Sequence, residues 1–299
     1  MEEITGYVVA YYACFIQLVK DPSILDLRSN PFLMIVSVRL AQVFFAISLI
    51  SWALQHFILG EFVTGRPPLW PEALPGKLLF AYACGIILLV AGISILTHWK
   101  PILTVTCAGM IILVWAALRN IYALIISLDY GIILTNTNKA LTIGFGALLV
   151  ASTFRDTEPT VTKSLLQRII DRLAPLSKYF IGLFLLVSGI QHFLFASFVK
   201  FLVPAWIPFP EFWTYLAGVA LIAGGLGIIT NIQRKLAATL SGYMIFIWLI
   251  VLHIPRALGA EGNANEVTAV FEALATSSLL FIIAMTSNRE QKDEDLSSR

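Results

Sequence analysis

Charge is what this sequence has least of. Asp, Glu, Lys and Arg make up 13% of the 299 residues, apolar residues make up 58%, and the mean hydropathy is +0.84. A soluble domain of this length typically carries about 25% charged residues, which keep its surface hydrated. The composition therefore excludes an ordinary soluble protein. It indicates an integral membrane protein, with the lipid bilayer as its partner.

Cysteine and clustered basic residues are also scarce. Cys14, Cys84 and Cys107 lie in apolar contexts without a CxxC pair. We expect them to pack as small apolar side chains, and we predict no metal site and no dithiol centre formed by this chain alone. The formal net charge is +2, and no basic stripe is interleaved with aromatic residues. We therefore expect no nucleic-acid partner.

The first residues lack the pattern of a secretory signal. MEEITGYVVAYYACFIQLVK begins with two glutamates and has no basic stretch before its apolar residues. We assign residues 1–31 to an N-terminal interfacial segment. Within it, residues 5–19 are expected to form an amphipathic or interfacial helix, with a short additional span as the alternative.

The tripeptide Gln-His-Phe occurs twice, at residues 55–57 and 191–193, in a chain with four histidines. The separation of 136 also relates Pro68 to Pro204 and Trp70 to Trp206. Four further pairs of glycines and aromatic residues are separated by 133 positions: Tyr82 and Tyr215, Gly85 and Gly218, Gly92 and Gly225, and Trp115 and Trp248. A separation of 127 relates NTNK at residues 136–139 to NANE at residues 263–266. Several anchors in one order, with the loops shortening between them, predict two homologous halves.

Each half is predicted to contain four transmembrane helices. Continuous apolar runs of about 20 residues match the thickness of the hydrocarbon core, whereas barrel strands would alternate. The predicted spans are 32–58, 77–97, 101–125, 139–154, 177–199, 212–230, 236–255 and 267–286. The predicted domains are the segment 1–31, a first four-helix repeat 32–154, a linker 155–176, a second four-helix repeat 177–287 and a charged cytoplasmic tail 288–299.

The basic residues give the orientation. With eight spans, thirteen of the twenty Lys and Arg residues fall on one side and five on the other. The positive-inside rule then predicts a multi-pass protein of the cell membrane with both termini cytoplasmic. Because each half has an even number of spans, the two bundles are expected in parallel orientation, related by a pseudo-twofold axis along the membrane normal. The SLLQRIIDRL stretch of the linker is predicted to be an amphipathic helix on the membrane surface.

This topology gathers polar and aromatic residues at the outer face. The first spans end in histidine, the Pro/Trp loops follow, and the third spans end in amide or basic groups. The candidate ligand-binding residues are His56, His192, Trp70, Trp206, Arg119, Asn120, His253, Arg256 and Glu272. The alternative interpretation makes the tryptophans interfacial anchors and the histidines hydrogen-bonded structural groups. No catalytic residue is identified.

Charged residues inside a span need a partner or a cavity, because each costs at least ~2.5–3.5 kcal/mol at the bilayer centre. We expect Glu272 to pair with Arg119 or Arg256 at comparable depth, either as a structural pair or as part of a ligand site. Asn138 and Asn265 are expected to cap the fourth spans, each in a turn just before the helix.

The motifs of the second half follow a known order. They are Gly189-Ile-Gln-His192-Phe193, PAWIP at 204–208, the glycines between 218 and 227, Arg234-Lys235 and His253-Ile-Pro-Arg256. In this order the chain resembles the DoxX-like membrane proteins, clearly over 177–286 and by repetition over 32–154. The resemblance implies a four-helix bundle per unit, and some relatives are linked to thiosulfate–quinone oxidoreduction or membrane redox complexes. Many relatives carry a glutamate where this chain has Leu88 and Leu221, so chemistry that depends on that carboxylate is not expected here.

The function predicted from the sequence is that of a membrane subunit or binder of a small amphipathic molecule, such as a quinone, at the outer face. The alternative is a membrane subunit of a quinone-linked oxidoreductase of the thiosulfate–quinone type, working with a soluble redox partner. A transporter ranks lower, because the polar groups gather near one face rather than at the midplane. We expect no haem, although His56 and His192 would be its ligands.

Overall fold

A computed structural model describes residues 36–72, 74–154, 164–260 and 263–297, with side chains described as far as residue 287. This part of the chain is helical and contains no strand. Single turns at Ala196–Val199 and Lys200–Leu202 connect two of the longer helices. The longer helices are α1 Val38–Leu59, α2 Lys77–Thr97, α3 Pro101–Ser127, α4 Ile132–Ser152, α5 Leu165–Leu194, α6 Pro210–Ile229, α7 Arg234–Gly259 and α8 Ala264–Ser297.

Seven of the helices in the described part are long and apolar enough to cross a membrane, and α4 is the one long helix outside that set. The prediction of an all-helical protein with membrane-spanning helices is therefore confirmed. α8 is the most enclosed, since 78% of its apolar window is buried, against 33–50% for the other six. The other helices expose large apolar side chains, among them Leu79, Ile86 and Ile125. Such surfaces belong in lipid rather than in water.

The helices of the two halves pack in matched pairs. α1 lies on α2 as α5 lies on α6, α2 contacts α3 as α6 contacts α7, and α3 lies on α4 as α7 lies on α8. The halves meet where α1 packs on α8 and, as its counterpart, α5 packs on α4. α4 and α8 also contact each other. Every major contact of one half therefore has a counterpart in the other.

α4 and α8 run in the same direction. Lys139 on α4 pairs with Glu272 on α8, with 2.7 Å between Nζ and Oε2. Seven residues further along α4, Gly146 faces Leu279 so closely that a Cβ at position 146 would clash with the leucine side chain. Both pairs are separated by 133 positions in the sequence. The second contact lies seven residues, or about two turns, further along both helices than the first. Two helices that advance together in this way run parallel.

The two glutamines of the repeated tripeptide link the halves. Thr135 on α4 donates to Gln191 Oε1 at 2.7 Å, and Thr268 on α8 donates to Gln55 Oε1 at 2.8 Å. These threonines are again 133 positions apart. The separation thus stays at 133 through the last helix of each half, and the predicted alignment of NTNK with NANE at 127 is wrong.

α4 begins seven residues earlier than predicted, at Ile132. Asp129 Oδ1 accepts a hydrogen bond from the Gly131 N–H at 2.6 Å just before the helix. Asn138 lies two turns inside α4, where its Nδ2 donates to the Leu134 carbonyl at 3.0 Å. The predicted capping role of Asn138 is therefore wrong, because a turn-like run of Asn and Thr residues continues the helix when its side chains bond to the preceding turn.

α8 begins at Ala264, three residues before the predicted start at residue 267, so the predicted capping role of Asn265 is also wrong. Asn265 is already helical, and the Asn263 side chain before it accepts a hydrogen bond from the Asn265 N–H at 3.0 Å. The amphipathic helix predicted in the linker forms Leu165–Leu173, begins with a Ser164–Gln167 capping box, and passes through a 3₁₀ turn into the rest of α5. The predicted segment 1–31 and residues 155–163 of the linker lie outside the described residues.

Candidate functional site

Each half contains a cavity beside its Pro/Trp loop, lined by matched residues. The cavity of the second half has a volume of about 270 Å³, and the cavity of the first half about 20 Å³. We call them the second-half cavity and the first-half cavity. Matched residues that line both are His56 and His192, Leu88 and Leu221, Ile112 and Ile245, Trp115 and Trp248, Asn120 and His253, and Ala140 and Ala273. The same pocket has therefore been kept open in one half and closed in the other.

Phe62 closes the first-half cavity. Its ring stacks on Trp70, with the centroids 5.4 Å apart, and its centroid lies 4.9 Å from that of Trp115. The Arg119 guanidinium lies over the Phe62 and Trp70 rings, 4.9 Å from the Phe62 centroid and 5.2 Å from the Trp70 centroid. Cation–π contacts of this kind hold a loop in place without a counter-charge.

The matching side chains of the second half point away from their cavity. Phe198, the counterpart of Phe62, is 65% exposed, and Trp206, the counterpart of Trp70, is 72% exposed. Leu252 stands where the first half has Arg119. The second loop therefore lacks the cation that would hold its aromatic side chains inward.

A glycine explains why only the first loop can fold inward. Gly65 has φ +71°, and a Cβ at this position would lie 2.5 Å from the Ala140 Cβ. Its carbonyl accepts a hydrogen bond from Asn120 Nδ2 at 3.0 Å. The counterpart of Gly65 is Phe201, which is 78% exposed. A phenylalanine cannot make the same close approach to α8, so the second loop stays outside.

The two matched histidines are held in the same tautomer. His56 Nδ1 lies 2.8 Å from the Trp52 carbonyl oxygen, and His192 Nδ1 lies 2.7 Å from that of Ser188. A carbonyl oxygen only accepts, so Nδ1 carries the proton in both rings and Nε2 is an acceptor.

The acceptor nitrogens of these histidines meet different surroundings. His56 Nε2 accepts a hydrogen bond from the Val63 N–H at 3.4 Å. The matching Val199 N–H instead donates to the Phe195 carbonyl at 2.9 Å. Within the described part of the chain His192 Nε2 has no donor, and His192 lines the second-half cavity.

Glu272 forms the polar end of the second-half cavity together with Lys139. Its carboxylate accepts from Arg66 Nε at 3.0 Å and from Lys139 Nζ at 2.7 Å, and its side chain is 7% exposed. The predicted pairing of Glu272 with Arg119 or Arg256 is wrong. Arg256 pairs with Glu266, with Nε 3.1 Å from Oε2. Lys139 reaches Glu272 because the early start of α4 brings this lysine two turns into the helix.

His253 contributes a second unsatisfied polar group. It ends the π-helical segment Leu249–His253 of α7, and its Nδ1 is buried without a hydrogen-bond partner among the described residues. α3 has a matching π segment, Ala116–Ile121, which contains Asn120. π-helical segments are rare in proteins, and those that occur are frequently found at functional sites. In the first half the loop carbonyl satisfies Asn120, whereas His253 lines the open cavity.

A second opening, with a volume of about 520 Å³, adjoins the second-half cavity. We call it the vestibule. The Pro/Trp loop with Trp206 lines one side and Arg256 the other. Leu202, Val203 and Leu252 line both the vestibule and the cavity. These three side chains therefore form the boundary that a molecule would cross between the loop surface and the cavity.

The predicted site residues are thus divided between two cavities. His192, His253 and Glu272 line the second-half cavity, and Trp206 and Arg256 line its vestibule. His56 and Asn120 line the first-half cavity, while Trp70 and Arg119 pack on the Phe62 ring that fills it. Important residues that the sequence analysis missed are Phe62, Arg66, Lys139, Trp213 and Trp248.

The described residues include no group of three or more His, Cys, Asp or Glu side chains placed to hold a metal ion. A family model described as a domain of unknown function (DUF8561) matches residues 181–285. The match runs from α5 into α8 and so includes most of the helical wall of the second-half cavity. No curated protein matches the chain, and no solved structure does so.

Proposed function

We propose that this chain is a multi-pass membrane protein that binds a small amphipathic molecule, such as a quinone, in the second-half cavity. The observation that carries the proposal is the contrast between two matched pockets. The first-half cavity is filled by Phe62 under the Trp70 and Arg119 side chains, whereas the second-half cavity keeps a volume of about 270 Å³. A pocket that is not needed fills with side chains, since protein interiors pack closely.

The lining of the second-half cavity supports this proposal. Most of its wall is apolar and comes from side chains such as Phe184, Leu221, Ile245 and Trp248. The charged and imidazole groups form a small minority of the wall. Small-molecule sites combine an apolar wall with a few placed polar groups, and this volume lies just below the ~300–1,000 Å³ of pockets for drug-sized ligands. The arrangement suits a molecule with one polar end.

The proposed topology has eight spans in two parallel DoxX-like repeats, with both termini cytoplasmic. Its support is the matched packing of the two halves and the parallel course of α4 and α8. α4 is proposed as the eighth span, because its polar side chains have partners inside the protein. Lys139 pairs with Glu272, Thr135 donates to Gln191, and Thr142 donates to the Phe180 carbonyl at 3.2 Å.

Cysteine labelling tests this topology at two matched, exposed loop positions, Leu69 and Ala205. In a chain whose native cysteines are replaced by serine or alanine, Leu69→Cys and Ala205→Cys are both expected to react with a membrane-impermeant maleimide from the outer side of intact cells. An even number of spans between the loops requires this result. Labelling of the two positions from opposite sides would exclude parallel repeats.

Ligand binding is tested with duroquinone, a small neutral quinone, added to the purified chain in lipid nanodiscs. We expect saturable quenching of the tryptophan fluorescence, because Trp213 and Trp248 line the cavity. Ala217→Phe places a ring inside the cavity and is expected to weaken binding at least about tenfold, which is ~1.4 kcal/mol.

The matched control is Leu226→Phe on the same helix, at a position that is 38% exposed. This variant should bind duroquinone as the wild type does, since the added ring faces away from the cavity. Quenching that is equal in wild type, Ala217→Phe and Leu226→Phe would reflect partition into lipid and would refute binding in the cavity.

A further inference from the structure

The charged groups at the second-half cavity and its vestibule do not cancel. Arg66, Lys139 and Arg256 pair with two carboxylates, those of Glu272 and Glu266. Lys200, which also lines the vestibule, pairs with Glu211. Among the residues that the structure describes, these four cations and three anions leave one positive charge in excess. An uncompensated charge within the span is costly, because little water reaches it to screen it. The cluster is therefore one negative charge short of neutrality.

Among the described residues, Lys139 is the cation that lines the cavity itself, whereas Arg256 lines the vestibule. Its ammonium has three N–H donors, and in the described part of the chain one of them is used, on Glu272 Oε2. Arg66 is more fully engaged, since it donates to Glu272 Oε1 at 3.0 Å and to the Asn265 carbonyl at 2.8 Å. His253 lines the same cavity, and its Nδ1 has no hydrogen-bond partner among the described residues.

We infer that the ligand of the second-half cavity is a monoanionic carboxylate amphiphile, with its carboxylate on Lys139 and His253 Nδ1 and its alkyl chain along the apolar wall. This inference rests on the proposed function and narrows its ligand class. A single carboxylate neutralises the excess charge, a neutral head leaves it unchanged, and a dianion would reverse it. Charge-assisted hydrogen bonds from lysine to carboxylate are about twice as strong as neutral ones.

The volume limits the length of the chain. At roughly 30 Å³ per heavy atom, the share of one water in the liquid, a cavity of about 270 Å³ corresponds to about nine atoms. Octanoate, with eight carbon atoms and two carboxylate oxygens, has ten heavy atoms and is close to this size. Longer chains would extend past Leu202 and Leu252 into the vestibule.

Three eight-carbon probes test the inference: octanoate, 1-octanol and octylammonium, each measured by tryptophan fluorescence in nanodiscs, with Ala217→Phe used to subtract partition into lipid. We expect octanoate to bind at least about tenfold more tightly than 1-octanol, and octylammonium to bind most weakly. Lys139→Gln should reduce the affinity for octanoate by about the same factor and leave that for 1-octanol unchanged. Lys139→Arg should retain the preference for octanoate, because it retains the charge.

The outcomes separate this inference from the function on which it rests. Equal affinities for octanoate and 1-octanol, both lost in Ala217→Phe, would overturn the anionic ligand and leave the cavity as a binding site. An octanoate preference that survives Lys139→Gln, or that is lost in Lys139→Arg, would overturn the role of Lys139. If the three probes and duroquinone all give the same fluorescence change in wild type and in Ala217→Phe, both the inference and the proposed function are refuted.

Discussion

Glu272→Gln is expected to lower the free energy of unfolding by about 3–5 kcal/mol, the usual result of removing one partner from a buried ion pair. The carboxylate is 7% exposed and joins Lys139 to Arg66 across the two halves of the chain. Without its charge, two cations face each other inside the protein. The measurement is reversible unfolding of the purified variant in mixed micelles, followed by far-ultraviolet circular dichroism as the fraction of denaturing detergent rises.

Glu61→Gln is the matched control for this prediction. Glu61 pairs with Lys77, but the two side chains are 41% and 39% exposed. A pair of that kind contributes about 0–1 kcal/mol, since water screens it and both side chains keep their freedom. Equal losses of stability in Glu272→Gln and Glu61→Gln would show that the link between the halves is not the buried contact described above.

Phe62→Ala is expected to cost about 3 kcal/mol, the lower end of the range for removing a phenylalanine ring from a packed core, because this ring is part-buried. The Phe62 ring contacts those of His56, Trp70 and Trp115 and lies under the Arg119 guanidinium. Its removal leaves these groups around an unfilled volume. The unfolding experiment in mixed micelles measures the change.

The repeat supplies an internal control, because Phe198→Ala makes the same substitution at the matched position. Phe198 is 65% exposed, and substitutions at exposed positions usually change stability by less than ~0.5 kcal/mol. A similar loss in both variants would mean that the second loop also covers its cavity, and the contrast between the two halves would have to be abandoned.

Much of the fold could be predicted from repetition and hydropathy. Trp115 and Trp248, matched by sequence, each directly precede a π-helical segment. Gln55 and Gln191, the first letters of the repeated tripeptide, make equivalent bonds to the last helix of the other half. These features follow from local sequence that was duplicated with its contacts.

The last helix of the first half could not be placed from the sequence alone. Its first two turns contain Thr135 to Lys139, which have the composition of a turn. Partners from other helices satisfy these side chains, among them Gln191 and Glu272. Tertiary contacts of this kind override local propensity. The wrong helix start also led to the wrong ion-pair partner for Glu272, because it placed Lys139 at the beginning of a helix rather than opposite Glu272.

The difference between the open and the closed cavity could not be predicted from the sequence either. Two substitutions between matched positions account for the difference: Gly65 against Phe201, and Arg119 against Leu252. Neither pair belongs to a recognised motif, and the effect of each depends on what the loop meets in three dimensions. Gly65 matters because it passes against Ala140, a contact between residues far apart in the chain.

Duplication also explains the ion pair between matched positions. Lys139 and Glu272 are counterparts in α4 and α8 and meet where the two halves join. Two identical copies of one repeat would place like charges there and repel each other. Fusion in a single chain allows the positions to differ, so that one is a cation and the other an anion. The same freedom allows one pocket to be filled by side chains while the other keeps an open cavity.

Photolabelling shows where on the protein an amphipathic ligand binds. The probe is an eight-carbon amphiphile that carries a diazirine at the end of its chain, and the labelled peptides of the full chain are identified by mass spectrometry. We expect label on the residues that line the second-half cavity, such as Ala217, Leu221 and Ile245, and a loss of that label in Ala217→Phe. Label around Trp115 in the first half, or only on lipid-facing side chains such as Ile86, would contradict it.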